Sequence, residues 1–174
     1  MASTLRGSDN FDTANALRSQ FVGPFATSSG TLIDVPNVPS WARRTTIFFK
    51  RVSTGGSANF VQVLLGYGAT PTYVSTGYEE QFVTTGAGTM GTALATTGFN
   101  AINPSAASIV ASGSMVLTHA GGNDYIVSGS CAESTGTRMY VFSGMLSLGA
   151  LLTALRFQAV DGFDAGSVSV LYEG

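Results

Sequence analysis

The chain has 174 residues, a formal net charge of −2, 44% hydrophobic residues and only 10% charged ones, against roughly 25% charged in an ordinary soluble domain. That length accommodates one domain, or one domain plus an arm, and buries a full core without help from metals or disulfides. The acidic balance argues against a nucleic-acid partner, whose binding is driven by phosphate neutralisation. No apolar run approaches the ~20 residues of a membrane helix; the longest candidate, residues 145–155, is too short and contains Gly149.

Residues 1–28 are polar and sparsely apolar, and read as an N-terminal arm or attachment segment. Phe11, Ala14, Leu17 and Phe21 would share a face of a short helix with Asp12 or Thr13 as cap, and an extended arm fits equally well. The segment is too thin to fold alone, so Phe11, Leu17 and Phe21 are the candidate assembly contacts of the arm. Residues 1–7 have no apolar stretch of the kind a secretory signal carries, which points to synthesis in a reducing cytoplasm.

From residue 29 to 174 the pattern is strand and turn. Residues 31–35 form a short strand ended by Pro36. Residues 42–52 alternate, with Thr45, Ile47 and Phe49 on one face and Thr46, Phe48 and Lys50 on the other. Residues 60–67 align Val61, Val63, Leu65 and Tyr67, and the two runs read as an antiparallel hairpin across the 53–59 loop. Residues 73–78 and 81–85 are short strand candidates, whereas 84–103, dense in Gly, Thr and Ala, reads as surface loop. Tyr73, Tyr78 and Phe99 in this region are the candidate surface contacts, because loops on a rigid scaffold often carry binding.

Order returns at 109–118, then a strong turn at 119–124 (HAGGND), strands at 125–131 and 138–148, and a last pair at 154–160 and 166–172. Residues 145–155 read as strand plus connector in preference to helix, given Gly144 and Gly149. In the final strand Val168, Val170 and Tyr172 fall on one face and Ser167, Ser169 and Leu171 on the other, the period of a half-buried strand. About eight short strands at turn-punctuated spacing, without βαβ alternation, predict an all-β fold: an antiparallel, jelly-roll-like β-sandwich preceded by an arm.

Chemistry is thinly provided. His119 is the only histidine, and no Gly-x-Ser-x-Gly elbow accompanies it; residues 111–116 (ASGSMV) echo one only in part. Cys131 is the only cysteine, so no intrachain disulfide forms, and it reads as a small buried hydrophobe. One histidine and one cysteine do not make a transition-metal cluster. Asp124, Asp161 and Asp164 sit in turns and lack a calcium-loop pattern. Glu79 and Glu80 are adjacent on a strand and face opposite ways, which rules out an acid/base pair. Residues 86–91 (GAGTMG) match a Gly-x-Gly-x-x-Gly spacing without its strand-to-helix setting. Arg43, Arg44, Lys50 and Arg51 fall within nine positions and read as the solvated ends of a strand. Trp41, Tyr67, Tyr73 and Tyr78 could stack on sugars, but packing explains them more simply. The expectation is a protein with no catalytic residue, no cofactor and no metal, and with no nucleic-acid or membrane-inserting role. The low charge content points instead to surface buried between subunits, where charged residues are depleted.

Residues 30–34 (GTLID), 38–41 (VPSW), 43–47 (RRTTI), 52–57 (VSTGGS), 155–157 (LRF), 163–168 (FDAGSV) and 171–173 (LYE) carry a resemblance. Over about residues 30–174 the chain resembles a family of phage virion proteins of the tail-fibre or fibre-tip type, and residues 7–12 (GSDNFD) look like openings seen in such proteins. The resemblance implies a non-enzymatic, homotrimeric virion domain, made in the bacterial host cytoplasm. Its implied partners are other copies of itself, other tail, baseplate or capsid proteins, and a host-surface glycan or protein. Fewer than thirty residues precede the domain, which favours a short spike-like fibre, a small subunit on a tail or head, or a capsid decoration protein. The alternative is a capsid decoration (cement) or head-fibre protein that clamps shell subunits with its arm.

Overall fold

The computed structural model describes residues 18–56, 60–86, 89–134 and 137–174. These residues form strands and connections, with no helix among them. In chain order the strands are β1 (Ser19–Ala26), β2 (Leu32–Pro36), β3 (Arg44–Thr54), β4 (Val61–Tyr67), β5 (Thr72–Tyr73), β6 (Glu79–Gly86), β7 (Thr89–Ala95), β8 (Phe99–Ile102), β9 (Ala111–Gly121), β10 (Asp124–Glu133), β11 (Met139–Ser147), β12 (Leu152–Ala159) and β13 (Phe163–Glu173). An eight-stranded sheet has the order β1-β13-β3-β9-β10-β11-β6-β7, and a smaller sheet the order β2-β12-β4-β5 with β8 also on β4. Every pairing is antiparallel. The all-β, antiparallel, sandwich-like expectation therefore holds.

The core lies between the two sheets. Ile47 and Phe49 of β3, Met115 and Leu117 of β9, Phe142 of β11 and Val168, Val170 and Tyr172 of β13 face Val61, Val63 and Leu65 of β4 and Leu155 and Phe157 of β12 in one buried cluster. Phe49 and Phe157 meet edge-on across the gap, with ring centroids 6.3 Å apart, the geometry their quadrupoles favour. Phe142 lies over Gly129 of the adjacent strand; a Cβ there would stand 2.6 Å from the ring, so only glycine fits. Burying side chains of this size stabilises by about 1.5–3 kcal/mol each, which makes this layer the fold's main support.

Alternation was read correctly in the strands that border the core. Val168, Val170 and Tyr172 are buried while Ser167, Ser169 and Leu171 are half-buried, and residues 145–155 are strand, connector and strand. Two readings need correction. Residues 42–52 and 60–67 do not pair as a hairpin: β3 pairs with β13 and β9, and β4 with β12, β5 and β8. Alternation reports which face is buried, not which strand lies alongside. The chain also shifts register between Phe49 and Val52, where Arg51 has φ of 52°, and crosses to the other sheet. Residues 84–103 are not a surface loop. They contain the end of β6, all of β7 and all of β8, and β8 is buried along its length. Thr, Gly and Ala supply little strand signal of their own, and cross-strand pairing with β6 and β4 overrides it.

The expected arm is only partly within view. Phe11 and Leu17 lie outside the described residues. Residues 19–26 form β1, which pairs with β13, so this stretch docks on its own domain. Pro24 and a register shift between Val22 and Phe25 interrupt its outer edge, a common protection against edge-to-edge pairing.

Candidate interaction face

One face of the eight-stranded sheet packs on the core; the other carries a pattern unlike an ordinary solvated face. Residues opposite one another in an antiparallel ladder project to the same side. One such row runs Leu94, Gln81, Ser143, Ser128, Val116, Thr46, Leu171, Phe21 across all eight strands. The next runs Thr92, Val83, Val141, Ser130, Ser114, Phe48, Ser169. A third contains Thr85, Met139, Ala132 and Ser112. None of these residues is charged. Charge enters at the edges: Lys50, exposed on β3 two residues beyond Phe48 and opposite Ser167, borders the third row, and the row on the other side carries Glu79 and the Arg44–Glu173 pair, 3.7 Å apart.

Large apolar side chains stand exposed on this face: Leu94 at 73%, Phe21 at 57%, Ile126 at 48%, Met139 at 46% and Val141 at 43%, with Phe48 and Met145 close behind. Strands about 4.8 Å apart and side chains repeating every ~6.8 Å along them give the first two rows a length of about 30 Å, with the third beside them over four strands. That is on the order of 300 Å² before side-chain width is added, the scale of a functional surface patch. Small serines between the apolar residues leave the surface low enough for close approach. Depletion of charge with retention of Met and aromatic groups is the composition of an interface core.

The outer face of the smaller sheet is built differently. Arg156 of β12 donates to Asp34 of β2 through Nε to Oδ1 at 2.6 Å and Nη2 to Oδ2 at 2.8 Å. The Arg156 hydrogen bond holds the Asp34 carboxyl below the usual carboxylate range. The guanidinium also lies 3.9 Å over the Tyr73 ring. Beside them Gln62 Nε2 donates to Asn100 Oδ1 at 2.9 Å. Polar groups here find partners within the face.

The residues singled out by type fall as follows. Tyr73 is half-exposed, in the Arg156 cluster. Tyr78 and Phe99 are not surface contacts: they are 1% and 0% exposed and meet edge-on at 4.8 Å. The Tyr78 hydroxyl accepts from the Leu65 N–H at 2.9 Å and donates to the Val74 carbonyl at 3.1 Å, and burial pushes it up to about 12. Phe21 lies on the uncharged face of the large sheet.

His119 is held at a strand end. Arg43 Nη1 can only donate, so Nδ1 accepts at 2.8 Å and Nε2–H donates to the Gly122 carbonyl at 2.9 Å. Both ring nitrogens are occupied and the ring stacks on Tyr125. Cys131 is buried in the core, which pushes its thiol up to about 12. Glu79 is exposed and Glu80 is 1% exposed, on opposite faces of β6. Glu80 Oε2 accepts the Asn100 N–H at 2.7 Å, tying one sheet to the other, while Oε1 has no partner among the described residues. Burial pushes this carboxyl up to about 8. Glu133 accepts from Tyr140 at 2.6 Å, from the Ser105 N–H and hydroxyl at 2.7 and 2.9 Å, and from the Arg138 N–H at 3.2 Å. Among the described residues no three His, Cys, Asp or Glu side chains gather as metal ligands.

The uncharged face was the feature that residue-by-residue reading passed over. Its signal is present in residues 139–147 (MYVFSGMLS), which carry apolar side chains on both alternating faces. Comparison with known proteins finds no matching family model, no matching curated protein and no matching solved structure.

Proposed function

We propose that this chain is a bacteriophage virion structural protein, a short tail-fibre or fibre-tip subunit that acts by assembling with copies of itself and contacting the host surface. The observation that carries the reading is the uncharged, partly apolar outer face of the eight-stranded sheet. A second copy is the occupant that suits it best, since an uncharged face of apolar side chains interleaved with serine and threonine hydroxyls, which both donate and accept, matches another of its own kind. Three copies about one axis, as the resemblance implies, would each turn this face towards a neighbour. Phe21 then belongs to the assembly surface through β1. The reading assigns no catalysis and no cofactor. Immunogold electron microscopy of the intact particle tests it: label at the tail or fibre tip is the expected result. Label confined to the icosahedral shell would sink the fibre reading in favour of a capsid decoration protein, and no label on particles would sink both.

A further inference from the structure

On the inner side of β6 and β7, at one end of the sandwich, lies a cleft of about 440 Å³, within the roughly 300–1,000 Å³ range of small-ligand sites. Phe82 and Ala93 are register partners, and Thr84 follows on the same side. Phe60 meets Phe82 edge-on, with centroids 5.3 Å apart, and gives the cleft an aromatic wall. Thr84 and Thr137 add hydroxyl groups and Arg138 a cation.

Arg138 is positioned and yet unspent. Its stem crosses Gly86, where a Cβ would stand 3.1 Å from Arg138 Cγ. Nη1 donates to the carbonyls of Asn103 and Pro104 at 3.2 and 3.4 Å. The guanidinium carries five N–H donors, and among the described residues no carboxylate forms an ion pair with it. The nearby Glu133 is committed to Ser105, Tyr140 and the Arg138 backbone N–H. A half-buried, pre-oriented guanidinium whose charge is bound by no carboxylate among the described residues suits a planar anion.

We propose that this cleft binds a carboxylated sugar, with the carboxylate on Arg138, the C–H face of the ring against the half-buried Phe60, which the buried Phe82 backs, and ring hydroxyls on Thr84 and Thr137. An inorganic anion would use Arg138 alone and leave the aromatic wall idle; a neutral sugar would leave the guanidinium unpaired. The site is on the inner side of the sheet, so it stands whether or not the outer face joins copies.

Titration of the isotope-labelled protein with glucuronate, glucose and inorganic phosphate, followed by amide NMR, tests this. Glucuronate should give saturable shifts at Thr84, Thr137 and Arg138, and the other two should bind at least about tenfold more weakly, the loss of one charge-assisted contact or of the ring contacts. Arg138→Gln should weaken glucuronate binding by at least about tenfold. Because Arg138 also steadies residues 103–104, Ala93→Leu serves as a second variant; it narrows the cleft from β7 and should weaken binding while the protein stays folded. No saturable response to glucuronate, equal binding of phosphate or glucose, or unchanged binding in both variants overturns the proposal.

Discussion

The two outer faces of the sandwich solve the same problem in opposite ways. On the smaller sheet, Asp34, Arg156 and Tyr73 pair with one another, as do Gln62 and Asn100, and Leu32 is the exposed apolar side chain beside them. On the larger sheet, Met139, Val141, Ile126, Phe48 and Phe21 stand exposed among serines, with nothing among the described residues drawn over them. An antiparallel sheet commonly presents one polar face to solvent; the small sheet does so and the large one does not. The difference teaches that low charge is met in two ways: the small-sheet strands carry only Asp34 and Arg156 and pair them, whereas the large-sheet strands place their charges at strand ends and edges and leave the middle of the outer face uncharged.

The comparison breaks first at the large sheet. Ser128→Lys with Val141→Lys places two charges in the uncharged rows, and juxtaposed like charges across an interface cost several kcal/mol. Self-association, read by sedimentation velocity, should weaken about a thousandfold or more. The thermal melt of the monomer should hardly move, because both positions are exposed.

Glu80 separates stability from assembly. Its carboxyl is raised from 4.5 to about 8 in the fold, so the folded state keeps a proton that the unfolded state releases. Its contribution is therefore fully present below pH 4.5, declines as pH rises through the window to about 8, and is flat above. Glu80→Gln can still accept the Asn100 N–H and removes the ionisable group. Urea unfolding at a series of pH values should show that slope reduced in the variant, with a gain on the order of 2 kcal/mol at pH 8. An unchanged slope would show that Glu80 is not its source.

The small sheet should respond weakly and only in stability. A double-mutant cycle with Arg156→Gln and Asp34→Asn should return about 0.5–1 kcal/mol for an exposed bidentate pair. Asp34 is depressed from 3.8 by Arg156, so this coupling is present above pH 3.8 and fades as pH falls below it. Assembly should be unaffected; a shift in the sedimentation profile would mean that the small sheet also joins copies. Smallest of all, Ser130→Ala, exposed and small-for-small, should stay within ±0.5 kcal/mol in stability and leave assembly intact.

Much of the fold was legible because β-branched and aromatic residues alternate where strands border the core. Val168, Val170 and Tyr172, or Val61, Val63 and Leu65, report their face directly. Sheet membership was not legible, since β3 and β4 have the same alternation but belong to different sheets. Nor were β7 and β8, whose Thr, Gly and Ala residues carry little strand preference of their own. Phe99 was misplaced for that reason, since pairing of β8 with β4 buries it, while Tyr78 is drawn inward by its hydroxyl bonds to Leu65 and Val74, which no local pattern announces. The uncharged face lay between these cases. A low charge count hints at such a surface, but its location needed the register that sets Phe21, Leu171, Thr46, Val116 and Ser128 in one row.

Sedimentation velocity of the full chain over a micromolar concentration series, alongside Ser128→Lys/Val141→Lys, is the most direct test. The account predicts reversible assembly of the natural chain, with a trimer as the closed species, and a folded monomer for the variant. A natural chain that stays monomeric throughout, or a variant that assembles equally well, would contradict it.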